Sequence, residues 1–204
     1  MLVYLVRHLL TKYNISNVYM GRSIDAPILQ SEIESFKKRA ARVFPEGVER
    51  TAAILSSPSL RCRQTAKVLK NVLKLSREIL DVKEFDETNY GKFEGLRSGE
   101  IKEQWPNLYR LWMNTPSQIT FPGGETFHEV QERSYHKIQE LLCEYLGKTE
   151  VLFVITHVDV IKMVIGKILS IPIDNKRYFC IDPGSFSLLE SDEEEIRIKY
   201  LNRL

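Results

Sequence analysis

Two histidines, His8 and His157, each close a run that reads as a buried β-strand: Leu-Val-Tyr-Leu-Val-Arg-His and Val-Leu-Phe-Val-Ile-Thr-His. A third apolar run, Ala52 to Ser56, leads within a few residues to Arg61, where a helical pattern begins. In a parallel α/β sheet, side chains just beyond the carboxyl ends of the strands line the ligand crevice. Residues 7, 8, 61 and 157 are therefore expected to converge, bringing together two imidazoles and two guanidiniums. Phosphoryl transfer without a metal needs a grip on a dianion, an in-line nucleophile and a proton for the leaving oxygen. Arg7 and Arg61 offer forked donors to phosphate oxygens. A neutral His8 can attack phosphorus through a ring nitrogen, and a cationic His157 would stabilise the transferring group. A carboxylic acid near the leaving oxygen would complete the set.

Other chemistry-bearing residues read more plainly. His128, Glu132 and His136 share one helix face, but two helical turns hold the histidines ~12 Å apart, too far for one ion, so no metal site is expected. Cys62, Cys143 and Cys180 are odd in number and lack metal-type spacing, which suggests reduced thiols rather than a disulfide framework. Trp105, Tyr109 and Trp112 have helical spacing and read as packing, with an apolar wall for a leaving group as the functional alternative. Gly123-Gly124 lacks the Lys-Ser/Thr of a nucleotide-binding loop. Lys37-Lys38-Arg39 lies among glutamates and reads as a solvated helix face.

The elements that must position these residues follow from hydrophobic patterning. Strands are expected at 2–6, 52–56, 79–82 and 151–155, all short apolar runs without polar alternation. Helices are expected at 30–44, from Pro58 to about 75, in short pieces over 100–113, at 125–146 and at 159–169. Residues 9–28 and 85–99 read as irregular. Residues 185–189 and 196–201 read as a hairpin around the acidic tip 192–195. The alternation predicts an α/β fold: a three-layer α/β/α sandwich with a largely parallel sheet, an antiparallel edge hairpin and a small cap insertion over about 85–124. The 204 residues are expected to form a single domain. Hydrophobic residues are 43% and net charge is only +2, which gives no reason to expect nucleic-acid binding. No apolar run is long enough to span a bilayer and no signal-peptide pattern opens the chain, so a cytoplasmic location is expected.

Five blocks resemble the histidine phosphatases, the phosphoglycerate-mutase-like superfamily, branch 1. They are Arg7-His8-x-x-Thr11-x-x-Asn14 with Gly21, Asp25 and Pro27; Ser56-Ser57-Pro58-x-x-Arg61-x-x-Gln64-Thr65-Ala66; Glu87-x-x-Tyr90-Gly91-x-x-Glu94-Gly95; Phe121-Pro122-Gly123-Gly124-Glu125; and Thr156-His157. The resemblance implies that His8 is the phosphorylated nucleophile and that Arg7, Arg61 and His157 form the phosphate pocket. It implies that Glu87 protonates the leaving alcohol and then activates water. Asn14, Gly21, Tyr90 and Val158 would border the substrate. No cofactor or metal is implied.

The chain departs from the family pattern twice. Leu9-Leu10 stands where Gly-Glu is usual after the first His, and Val158-Asp159 where Gly is usual after the second. Leu9 and Val158 either narrow the pocket or reshape it while their N–H groups still face the ligand. Of three functions the phosphatase is the one expected, because the cap is short and has few basic residues. One is a phosphatase acting on small phosphate monoesters such as phosphorylated sugars, sugar acids, nucleotides or ribazole phosphate. One is a phosphoglycerate-type mutase, for which Arg97, Lys102 and Arg110 are the basic residues of the short cap. One is a weakly catalytic binder of phosphorylated ligands. The only partner expected is the small phosphorylated substrate. The hairpin edge would permit a homodimer, which its acidic tip opposes.

Overall fold

The computed structural model describes residues 1–49, 52–192 and 195–204. Its centre is a six-stranded sheet in the order β3-β2-β4-β1-β5-β6, formed by β1 (Leu2–Arg7), β2 (Ala53–Ser56), β3 (Ile79–Asp81), β4 (Val151–Thr156), β5 (Phe186–Ser191) and β6 (Ile196–Arg203). Strands β1 to β4 are mutually parallel, β5 runs antiparallel to β1, and β6 pairs antiparallel with β5. This is the α/β sandwich with an antiparallel edge pair that the patterning implied. Glu193 and Glu194 of the acidic tip lie outside the described residues.

Side chains alternate across the pleat and define two cores. Tyr4, Val6, Ile54, Phe153 and Ile155 face helices α2 (Ser31–Val43) and α3 (Leu60–Leu73) through Phe36, Ala40, Cys62, Ala66 and Leu69. Val3, Leu5, Leu55, Leu152 and Val154 face α6 (Phe127–Tyr145) and α7 (Val158–Ile168) through Phe127, Val130, Ile138, Ile161 and Ile165. Every residue of β4 is buried, so this strand shows no alternation in sequence.

One stretch and two helix starts differ from the sequence reading, and the short cap helices resolve in detail. Within 9–28, Lys12–Ile15 forms a one-turn helix, α1, because Thr11 accepts from the Asn14 N–H while the Asn14 side chain accepts from the Thr11 N–H. That reciprocal cap is a local helix start. In the cap segment, α4 (Ser98–Gln104) and α5 (Pro106–Asn114) are separated at Trp105, with Pro106 in the first turn of α5, where its missing N–H costs nothing. Thr126 and Glu129 cap α6 in the same way as α1, so that helix starts at Phe127 rather than Glu125. Helix α3 starts at Leu60, whose N–H donates to Asp25, rather than at Pro58.

Candidate active site

Pairing of the parallel strands brings three carboxyl ends level. The His8 N–H donates to the Thr156 carbonyl at 2.9 Å, and the Ser57 N–H donates to the Ile155 carbonyl at 2.9 Å. Arg7-His8, Ser56-Ser57 and Thr156-His157 thus meet along one rim, where the chain order reverses across β4. Arg7, His8, Asn14, Gly21, Arg61, Glu87, Tyr90 and Val158 all line one cavity of about 470 Å³. Of the expected site residues, only His157 does not. Its imidazole is fully buried behind the wall, 5.2 Å from the His8 ring centroid.

The hydrogen bonds fix both imidazole tautomers. His8 Nδ1 lies 2.7 Å from the Leu9 carbonyl oxygen. A carbonyl only accepts, so Nδ1 carries the proton and Nε2 holds a free lone pair. His157 Nδ1 accepts from Arg61 Nη2 at 3.2 Å, and its Nε2–H donates to Ser57 Oγ at 2.9 Å. Ser57 in turn donates to Asp86 Oδ1 at 2.7 Å. Burial, with Arg61 and Arg7 nearby, holds the His8 pKa well below the usual histidine range. Burial, with Arg61 and the His8 ring nearby, does the same for His157. The cationic His157 considered from sequence is the form that these surroundings disfavour.

The two arginines are desolvated and only partly satisfied. Arg7 Nη1 donates to the Ile181 carbonyl at 2.6 Å. Arg61 donates to the carbonyls of Gly21 and Ile24 at 2.8 and 3.1 Å. Among the described residues, Nε of each is buried without a partner. Buried unpaired donors are costly, and here both belong to guanidiniums that line the cavity. Asn14 gives its amide oxygen to Thr11, which leaves its NH₂ for whatever fills the cavity.

Glu87 is buried, and its Oε1 accepts from the Thr88 N–H at 3.0 Å. Burial, and secondarily the Asp159 charge, raises its carboxyl to about 7. Its loop is clamped by Arg133 of α6, which donates to the carbonyls of Glu84 and Asp86 at 2.6 and 2.8 Å. Arg133 also grips Glu125, which accepts from the Asn89 N–H at 2.7 Å. Glu94 accepts from the N–H groups of Tyr90, Arg22 and Ser23. The two glutamates therefore act as rivets between loops.

The departures in sequence resolve differently. Leu9 packs in the core, and its N–H donates to Thr65 Oγ1 at 3.0 Å, so that N–H does not face a ligand. Leu10 and Val158 line the cavity. Trp112 lines it with Met113, whereas Trp105 and Tyr109 pack against the core outside it. Arg97, Lys102 and Arg110 are not among its lining residues. Sequence reasoning missed Asp159, whose Oδ2 accepts from Tyr90 Oη at 2.6 Å and Oδ1 from Lys176 Nζ at 2.7 Å. It also missed Lys176, Arg133 and Asp86. Asp159 was visible as a departure two residues past His157. Lys176 lies in a short 3₁₀ segment, Ile173–Tyr178, with no local signal.

Residues 3–204 match the sequence profile of the histidine phosphatase superfamily (branch 1). The chain belongs to that superfamily. Among curated relatives, phosphoserine phosphatase 1 of Hydrogenobacter thermophilus is 24% identical over 97% of this chain and 90% of its own. A bifunctional protein of Mycobacterium tuberculosis is 37% identical over 114 residues, 56% of this chain. That match spans only 30% of the mycobacterial protein's length. Bacillus stearothermophilus YhfR superposes with a TM-score of 0.89 at 24% identity, covering 100% of this chain and 97% of its own.

Proposed function

We propose that this chain is a cytoplasmic, metal-independent phosphatase that hydrolyses small phosphate monoesters through a phosphohistidine on His8. The observation that carries the reading is a free Nε2 lone pair on His8 in a cavity that Arg7 and Arg61 also line. A phosphate dianion would accept from the guanidiniums and present phosphorus to the nucleophile. In the first step His8 Nε2 bonds to phosphorus, the ester P–O bond breaks, and the leaving oxygen takes the proton from Glu87. The Leu9 carbonyl, already accepting from Nδ1–H, stabilises the charge that grows on the ring. In the second step the Glu87 carboxylate takes a proton from water, whose oxygen bonds to phosphorus as the P–N bond breaks. Phosphate leaves, and both residues return to their starting forms. A carboxyl near pH 7 can serve in both directions. In this scheme Arg7 and Arg61 neutralise the transferring group, and His157 keeps Arg61 aimed.

Hydrolysis is favoured over mutase chemistry by charge. Beyond Arg7 and Arg61, the cavity is lined by a single further cation, Lys176, and Asp159 already pairs with it. A second anionic group would find no free cation among the lining residues. Three free cysteines, Cys62, Cys143 and Cys180, suit a reducing compartment.

The test is turnover of an aryl phosphate in excess EDTA between pH 5 and 8, wild type beside His8→Ala. EDTA-resistant turnover that falls by at least about 10⁴-fold in the variant is expected for loss of a covalent nucleophile. Turnover that persists in His8→Ala, or that EDTA removes from the wild type, would overturn the reading.

A further inference from the structure

Beyond Arg7, His8, Arg61 and Glu87, the cavity is lined mainly by apolar and aromatic side chains. Its volume of about 470 Å³ lies in the range that encloses a drug-sized ligand, so it takes more than a phosphoryl group. Leu10 follows β1, Val158 opens α7, and Trp112 and Met113 come from α5 of the cap. Leu10 and Val158 stand where the chain departs from the family pattern, which usually has Glu and Gly there. Both changes act in one direction: one replaces a charge with a hydrocarbon side chain, and the other adds one. Trp112 is fixed in place. Its ring centroid lies 4.6 and 5.5 Å from those of Tyr19 and Tyr90, which also line the cavity. It lies 5.3 and 5.7 Å from those of Phe121 and Phe93, both fully buried. Rings packed in this way form a rigid wall, to which Met113 adds an adaptable edge.

The remaining charges satisfy each other. Among the described residues that line the cavity, the charged groups beyond the reactive ones are Asp159 and Lys176, which pair at 2.7 Å. The other Asp159 oxygen accepts from Tyr90 Oη at 2.6 Å, and Lys176 Nζ lies 3.4 Å from the centroid of the Phe127 ring. Asn14 and Asn17 are polar but neutral. A leaving group that carried a carboxylate would lose its water here without gaining a cation, whereas an apolar ring gains by leaving water. We propose that the site takes phosphate monoesters of uncharged, apolar alcohols, ring-bearing ones above all, and that Leu10 and Val158 set this preference. The proposal rests on the reading of the cavity as a phosphatase site. Trp112 and Tyr19 present the face against which the leaving group's ring packs, and Leu10 and Val158 keep charge away from it.

The test compares kcat/KM of the wild type for ethyl phosphate, 2-phenylethyl phosphate and 3-phosphoglycerate. All three are esters of primary alcohols, so their ratios read the wall rather than the leaving oxygen. The phenylethyl ester is expected to exceed the ethyl ester by about 30-fold, as burial of a ring requires, and 3-phosphoglycerate to fall below both. A phenylethyl-to-ethyl ratio near one, or a preference for 3-phosphoglycerate, overturns the proposal. Leu10→Asn/Val158→Thr makes the wall polar at nearly constant size and is expected to cut the ratio about tenfold. Losses that act on the phosphate site or on the folded fraction cancel in that ratio, so an unchanged ratio removes Leu10 and Val158 from the assignment. Should the double variant not fold, the two substitutions are read singly. If the wild type shows no His8-dependent turnover of any ester, the phosphatase reading fails, and the wall is then read by calorimetry with inert phosphonates. There 3-phenylpropylphosphonate is expected to bind about 30-fold more tightly than propylphosphonate, and equal affinities overturn the proposal.

Discussion

One carbonyl sets the His8 tautomer: Leu9 O accepts from Nδ1–H and leaves Nε2 bare. The same economy governs His157, whose two nitrogens are assigned by Arg61 on one side and Ser57 on the other. Ser57→Ala would leave the buried His157 Nε2–H with only long contacts, to Cys62 Sγ and Ser59 Oγ, each at 3.5 Å. The expected cost is about 1–3 kcal/mol of stability, read by urea unfolding. With Arg61 less firmly aimed, a fall in kcat/KM should accompany it, and unchanged kinetics would show that His157 does not orient Arg61. His8, Arg7, Arg61 and Glu87 were legible because each sits in a contiguous block with its own register. The partners that set their chemistry were not. Asp159 meets Tyr90 across 69 positions and Lys176 across 17, and no local pattern in a chain announces such pairs. His157 was legible as a site residue, but its place behind the wall depends on how Ser57 and Asp86 pack.

The connections between elements are held as tightly as the elements. Gly91 has φ +54°, and a Cβ there would overlap the Pro122 carbonyl oxygen. A Cβ on Gly124 would overlap the Asn89 carbonyl oxygen and lie 2.9 Å from the Gly91 nitrogen. The loop that carries Glu87 and Tyr90 therefore docks backbone to backbone against the loop that opens α6. Gly124→Ala would force these loops apart at a cost of about 1–3 kcal/mol. Because Tyr90 lines the cavity, KM should rise as well. Urea unfolding and steady-state kinetics on one preparation test both, and a variant with wild-type stability would mean that the loops are not in contact. The strands and long helices were readable from sequence because burial writes a period into them. Helix α1 was missed because it is one turn long and rests on a Thr11–Asn14 cap rather than on any apolar stripe. The α4–α5 break at Trp105-Pro106 and the late starts of α3 and α6 are likewise cap chemistry, which shifts element ends while leaving the pattern intact.

Across the whole molecule, the buried titratable groups pull stability in opposite directions with pH. Glu87 holds its proton in the folded state up to about pH 7, against 4.5 for an ordinary glutamate. Its contribution is complete below 4.5 and is lost as pH rises through 7. His8 and His157 are depressed below 6.5, so their contribution is present above 6.5 and is lost as pH falls through their lowered values. Glu87→Gln keeps the neutral form at every pH. Its stability relative to wild type should therefore rise by about 2.5 kcal/mol between pH 5 and pH 8, measured by urea unfolding at the two pH values. A constant difference would mean that Glu87 is an ordinary carboxylate. The sheet order has a consequence of another kind. β1 is made first, yet its neighbours are β4, beginning at Val151, and β5, beginning at Phe186. At synthesis rates of roughly 5–20 residues per second, the segment bearing Arg7 and His8 waits on the order of ten seconds or more for both partners. An apolar strand without neighbours over that interval is a target for mispairing, and loop closure on this scale slows folding. Arg7 and His8 are thus present through most of the chain's synthesis before the strands that position them exist.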